Sequence, residues 1–199
     1  MQPEPKTRRG RESRDRIVEC AAMLIAERGV EHVGLDDVLR AAGVGKGQLY
    51  HYFADRDAII EAAVARRCAQ VQQALAQMFG ALDSVADLER ALDEYVGIYE
   101  KTLGGCPIGK IAAEVAGRNR GAQRQVEMAF GAWQTLFTDL LTRLRERGDL
   151  RPDADPVALA TALLAALEGG QILSQTRNDA TSLRIAIAVA LDHIRTFLA

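Results

Sequence analysis

Apolar residues recur at helical spacing along nearly the whole chain, and no stretch alternates in the two-residue rhythm of a strand. Ile17, Ala21, Leu24 and Ile25 mark one face of a helix over residues 13–28, which Gly29 ends. Leu35, Val38, Leu39 and Ala42 predict a short second helix, stopped at Gly43, a residue that takes positive φ without a Cβ clash. Val44 plugs a tight turn, and residues 45–53 predict a third helix whose Leu49 and Phe53 pack back on the second. A long helix follows from Arg56 to about Phe79, carrying Ile59, Ala63, Val64, Val71, Leu75 and Met78.

Beyond a break at residues 80–86, the pattern stays helical. Leu88, Leu92, Tyr95, Val96, Tyr99 and Leu103 line a helix that runs to Gly104-Gly105, and Pro107 opens a short one to about Ala116. After a polar loop at residues 117–121, Val126, Phe130, Trp133, Phe137, Leu140, Leu141 and Leu144 form a long stripe closed by Gly148. The last two helices, 156–176 and 183–198, are apolar on more than one face. That pattern needs cover on every side, and a partner subunit is the natural cover in a chain this size. The expected class is all-α, opening with a three-helix head that contains a helix-turn-helix.

Composition permits this without deciding it. A chain of 199 residues, 48% apolar, can bury a sizeable core, and 26% charged residues is ordinary for a soluble protein. The formal net charge of −2 looks wrong for a nucleic-acid binder until the chain is divided. Residues 1–16 hold six basic side chains against three acidic, whereas the chain after Arg67 holds 13 against 16. The phosphate-attracting end is therefore the N-terminal one. Residues 1–12 read as a flexible basic arm, solvated alone and able to touch phosphates or a minor groove beside DNA.

Cys20, Cys68 and Cys106 are odd in number and widely spaced, which suits a reducing compartment and argues against a disulfide framework or a zinc site. No run of transmembrane length and no signal peptide is expected, so the cytoplasm is the expected location. His32, His51 and His193 fall in different elements with no nucleophile beside them, and no phosphate loop is present, so neither catalysis nor a metal or other cofactor is expected.

Ala41-Ala42-Gly43-Val44, Gly47, Leu49-Tyr50-His51-Tyr52-Phe53 and Asp55-Arg56-Asp57 together resemble the DNA-binding signature of the TetR (tetracycline-repressor) family of transcriptional regulators. The resemblance is dense from about Arg14 to Ala63 and continues as the family's helical layout. It implies a DNA-binding domain at 13–58 and a helical ligand-binding and dimerisation domain at 59–199. It also implies repression of a palindromic operator on double-stranded DNA by a homodimer paired through helices 156–176 and 183–198, with release by a small-molecule effector. Two departures stand out: Gly34 and Gly45 replace the family's usual hydroxyl residues, so two groups able to hold phosphates are missing.

Lys46, Gly47, Gln48, Tyr50, His51, Tyr52 and Arg56 are the expected DNA contacts. Lys46, Tyr50, Tyr52 and Arg56 suit phosphates, with Lys46 also able to meet a guanine edge, while Gln48 and His51 suit base edges. Tyr95, Tyr99, Cys106, Glu114, Trp133, Phe137, Gln171 and Gln175 are candidates for an effector pocket. The segment from Gly104 to Lys110 (GGCPIGK) is similar to one in a subset of the family that includes members sensing electrophiles through a cysteine there. Cys106, at a helix N-terminus with Lys110 one turn on, either forms a ready thiolate and senses oxidants, or merely packs a tight corner. The rival reading is a helical small-molecule carrier or enzyme whose N-terminal helices are only structural.

Overall fold

The computed structural model describes residues 5–199, and among these all regular structure is helical. The helices are α1 (Arg8–Arg28), α2 (Leu35–Ala42), α3 (Lys46–Tyr52), α4 (Arg56–Phe79), α5 (Val85–Glu100), α6 (Pro107–Val115), α7 (Arg120–Arg147), α8 (Pro156–Arg177) and α9 (Thr181–Arg195). Leu150 and Leu198 form an isolated antiparallel bridge that ties the C-terminal end to the α7–α8 loop.

Helix α1 starts earlier than apolar spacing suggested, so residues 8–12 of the expected arm are helical; residues 1–4 of that arm lie outside the described residues. Arginine and glutamate are good helix formers that carry no apolar signal. The Thr7 hydroxyl caps this end by accepting from the Gly10 N–H at 3.1 Å, and Arg8 pairs with Glu12 one turn on at 2.7 Å.

The chain divides into two compact units, and the division is not a single cut. Unit 1 runs through Val71 and takes in Lys110–Ala129; unit 2 comprises Gln72–Gly109 and Phe130–Ala199. Helices α4, α6 and α7 each contribute residues to both. The division at Val71 falls inside α4, where helical periodicity runs unbroken and nothing in it marks a change of neighbours.

In unit 1 the core is Ile17, Val18, Ala21 and Ile25 of α1 against Val38 and Ala42 of α2, Leu49 and Phe53, and Ile59, Ile60 and Val64 of α4, all buried. Each such aliphatic side chain contributes about 1.5–3 kcal/mol of burial, more than a helix as short as α3 could gain from its own hydrogen bonds. Packing, not propensity, therefore holds the helix-turn-helix.

In unit 2, Leu88, Leu92 and Val96 of α5, Trp133, Phe137, Leu140 and Leu144 of α7, and the inner faces of α8 and α9 share a second core. Asp155 caps α8 by accepting from the Val157 and Ala158 N–H groups, with Pro156 at the first helical position. Helices α8 and α9 form a hairpin with the most extensive helix–helix contact in the chain. A Cβ at Gly170 would lie 2.8 Å from the Cα of Leu183, so the close approach requires glycine there. The Ser174 hydroxyl, fully buried, accepts from the Leu183 N–H at 2.9 Å and so satisfies a donor at the start of α9.

Helix α8 is, against expectation, long and apolar enough by composition to cross a membrane, with a hydropathy of 1.5 over its most apolar window and 39% of that window buried. Its apolar length is used partly against α9 and partly on an open face.

Candidate nucleic-acid interface and effector site

Helix α2 is stopped by Gly43 in the left-handed conformation, φ 63°, and α3 begins two residues after Val44. Neither helix has a side-chain cap, because Gly34 and Gly45 stand at both N-cap positions. One half of a capping box survives: the Asp37 carboxylate accepts from the Gly34 N–H at 3.1 Å, and glycine has no side chain to return the bond.

The outer face of α3 carries the residues expected to meet DNA. Lys46, Gly47, Gln48, Tyr50 and His51 are exposed, and no neighbour stands within 4 Å of where a Cβ on Gly47 would be. Lys46 stands 4.0 Å from the Asp36 carboxylate, an exposed pair worth little, so its charge stays available to a phosphate. The rings of His51 and Tyr52 meet edge to face at 5.0 Å. Gln48 is anchored: its amide donates to the Ser13 hydroxyl of α1 at 2.7 Å. Beside this bond lies a cleft of about 600 Å³ bordered by Arg9, Ser13, Arg16, Gln48 and Tyr52, which extends the face of α3 onto basic residues of α1.

Arg56 is placed otherwise than expected. Its guanidinium donates to the Val33 carbonyl at 3.0 Å and the Val30 carbonyl at 2.8 Å, so it grips the α1–α2 loop. Glu114 of α6, a ligand-pocket candidate, holds the same loop. Its carboxylate accepts from the Val30 N–H in a short bond and from the Glu31 N–H at 3.2 Å. Gly29, φ 83°, makes room for it, since a Cβ there would stand 2.7 Å from the carboxylate. Arg118 pairs with Glu31, and the Asn119 amide donates to the Asp57 carbonyl at 3.2 Å. Residues 84 positions apart cannot announce such contacts through local sequence.

Unit 2 brings together most of the other pocket candidates. The rings of Tyr95 and Trp133 lie 6.3 Å apart, Trp133 and Phe137 lie 6.4 Å apart, and Phe79, absent from the expected set, meets Phe137 edge to face at 5.4 Å. The Tyr99 hydroxyl donates to the Gln171 carbonyl at 2.9 Å. Gln175, by contrast, is exposed near the end of α8, one turn beyond the buried Gln171, and leaves the set. Glu168 was missed; it precedes Gln171 by one turn, and its carboxyl and the Cys106 thiol both lie beside Gly109.

Cys106 does not have the environment of a ready thiolate. Burial and, after it, the neighbouring Glu168 carboxyl push its pKa up to about 12, against only weak help from the Gly109 N–H at 3.3 Å. The expected help from the helix terminus is outweighed by desolvation. Burial likewise raises Glu168, with the Cys106 hydrogen bond opposing, and raises the Tyr95 hydroxyl.

A short helix with an open polar face, held by a buried scaffold and flanked by basic residues, defines a helix-turn-helix DNA-binding protein. Residues 17–63 match the tetR family of bacterial regulatory proteins, residues 81–190 match the tetracyclin repressor-like C-terminal domain, and the chain belongs to the TetR family of transcriptional regulators. It is 28% identical over 181 residues to YxaF, an HTH-type transcriptional regulator of Bacillus subtilis, covering 89% of this chain and 92% of the relative. It is 26% identical over 185 residues to the A-factor receptor protein of Streptomyces griseus, covering 89% of this chain and 60% of that longer protein. The crystal structure of a TetR transcriptional regulator from Chloroflexus aurantiacus superposes with a TM-score of 0.80 at 26% identity, covering 97% of this chain and all of that one. Regulators of this family bind operator DNA and small-molecule effectors and act as dimers.

Proposed function

We propose that this chain is a repressor that binds a two-fold symmetric operator as a homodimer and releases it when a small molecule occupies unit 2. The observation that carries the reading is the outer face of α3, where Lys46, Tyr50 and His51 stand exposed on a helix whose inner face, through Leu49, is fully committed to the core. Lys46, Tyr50 and Tyr52 serve phosphates, and His51 serves base edges. Gln48 reads from a fixed position set by Ser13.

Pairing through α8 and α9 is supported by apolar side chains exposed on both. Val157, Ile172 and Leu173 stand out on α8, and Ile185 and Val189 on α9. A two-fold axis through this face would cover them with their own copies. The similarity to a protein named as the A-factor receptor supports control by a bound small molecule. Effector binding then needs only to prefer the arrangement that cannot hold DNA. Its route to α3 is the set of helices α4, α6 and α7, whose residues are divided between the units. The buried Cys106 favours reversible binding over oxidation as the trigger.

The test is selection of genomic DNA fragments by the purified protein in the presence of excess competitor DNA. Enriched fragments sharing one inverted repeat are expected. Uniform recovery of all fragments would sink the operator reading and leave the chain a helical carrier or enzyme.

A further inference from the structure

Three buried polar side-chain atoms of unit 2 have no protein partner: Trp133 Nε1, Gln171 Nε2 and Glu168 Oε1. Trp133 is 2% exposed and Gln171 1%, so bulk water does not serve them. They also belong together. Glu168 and Gln171 are one turn apart on α8; the Gln171 carbonyl accepts from the hydroxyl of Tyr99, one turn beyond Tyr95 on α5, and the Tyr95 ring lies 6.3 Å from that of Trp133. Buried polar atoms without partners are rare in native proteins, and each is costly to the fold. Three around one tyrosine form a set that a bound molecule would complete.

We infer that the unpartnered atoms of Trp133, Glu168 and Gln171 mark a site beside Tyr95 for a neutral, flat, ring-sized organic molecule carrying a carbonyl-type oxygen and a hydroxyl. This rests on the effector reading and gives that effector a chemical class. The oxygen answers the two N–H donors, Trp133 Nε1 and Gln171 Nε2, which require acceptors. The hydroxyl answers Glu168 Oε1. The rings of Tyr95, Trp133 and Phe137 supply flat apolar walls. An organic anion is disfavoured because the one charged group of the set is itself acidic. An organic ammonium ion would suit Glu168, but it brings donors to a site that already has two unanswered donors.

The chain has a single tryptophan, so its one indole N–H proton resonance reports on this site without reference to DNA. Four bicyclic probes of equal size separate the chemistries: hydroxytetralone (neutral, carbonyl and hydroxyl), tetralin (apolar), aminotetralin (cationic) and naphthoate (anionic). Hydroxytetralone is expected to move the indole resonance downfield and to bind at least tenfold more tightly than the other three. Gln171→Met, close to it in volume and checked for an unchanged melting temperature, should weaken hydroxytetralone at least tenfold. Gln175→Met, at an exposed position of the same helix outside the site, should change it by less than threefold. Tighter binding of aminotetralin, lost in Glu168→Gln, would overturn the inference, as would an indole resonance that no probe moves up to its solubility limit. Operator release is followed separately. A shifted indole without release supports the ligand class and removes the effector reading, while release without an indole shift removes this site and leaves that reading standing.

Discussion

The carboxylate of Glu114 accepts a hydrogen bond from the backbone N–H of Val30, 84 positions earlier in the chain. Arg56 meanwhile takes the carbonyl of the same residue, so Val30 is held at its donor and its acceptor by opposite charges from α6 and α4. The loop that sets α2, and with it α3, thus depends on two ionised side chains rather than on its own sequence.

Replacing Glu114 with alanine leaves the Val30 and Glu31 N–H groups without their acceptor. A loss of about 1–3 kcal/mol is expected, as for other part-buried groups stripped of a partner. Hydrogen exchange at those two amides should quicken before exchange in the core of α1. Unchanged protection at both would show that water replaces the carboxylate without cost.

Arg56→Lys separates a loop clamp from a phosphate contact. A lysine lacks the planar fork whose separate nitrogens reach the two carbonyls, so thermal stability should fall, while the salt dependence of operator binding stays unchanged. A phosphate contact predicts the reverse on substitution by alanine: the slope of log K against log salt would drop by about 0.9 for each phosphate lost.

These two residues show where sequence reading succeeds and where it stops. The positions of α2, α3 and α6 follow from Gly43, Pro107 and the spacing of Leu35, Val38, Leu39 and Ala42, because helix periodicity and stop signals are local. The outward set on α3 was legible for the same reason. Glu114 and Gln175 are pocket candidates from residue type and family layout, while their surroundings, a bond to the α1–α2 loop for Glu114 and solvent for Gln175, depend on tertiary neighbours. Arg56 was read as a phosphate contact from its place in a motif, yet its fork is satisfied by carbonyls 23 and 26 positions away. Glu168 escaped notice because an acidic residue between apolar ones on a long helix looks like a solvated position.

The dimer face can be tested away from the subunit core. Val189 is 64% exposed and Ile187 only 5%, so a charge at Ile187 would unfold the subunit and say nothing of pairing. Val189→Glu should leave the melting temperature of a dilute sample within a few degrees of wild type and convert dimer to monomer in sedimentation at micromolar concentration. A Val189→Glu protein that sediments as the wild type does would place the interface elsewhere.

Glu168 should leave a signature in stability against pH. Its folded pKa is raised by burial, so the folded state keeps a proton that the unfolded state gives up. Its contribution is therefore full below the unfolded value and is lost as pH rises through the folded one. Glu168→Gln should be more stable than wild type at neutral pH and should converge with it towards pH 4.5 and below. Parallel melting curves across that range would mean that the carboxyl is ionised without penalty.

Cys106 should react slowly while the chain is folded. At neutral pH a thiol with a pKa near 12 has about one part in 10⁵ as thiolate, against roughly one part in 10² for an ordinary one near 9. Mass spectrometry after brief exposure to a small quinone should find Cys106 modified at least tenfold faster in denaturant than in buffer. Equal rates would restore it as a candidate sensor.

If the apolar strip left open on α8 and α9 pairs with its own copy, the protein's own abundance becomes an input to repression. Where pairing is needed before an operator can be gripped, occupancy at scarce supply climbs with the square of the number of chains rather than in proportion to it. Halving synthesis then removes about three quarters of the competent pairs by mass action. A fall in synthesis that dilutes the protein as the cell grows would then loosen its target genes with no effector present, and the hydrophobic strength of Val157, Ile172, Ile185 and Val189 would set the concentration at which that begins.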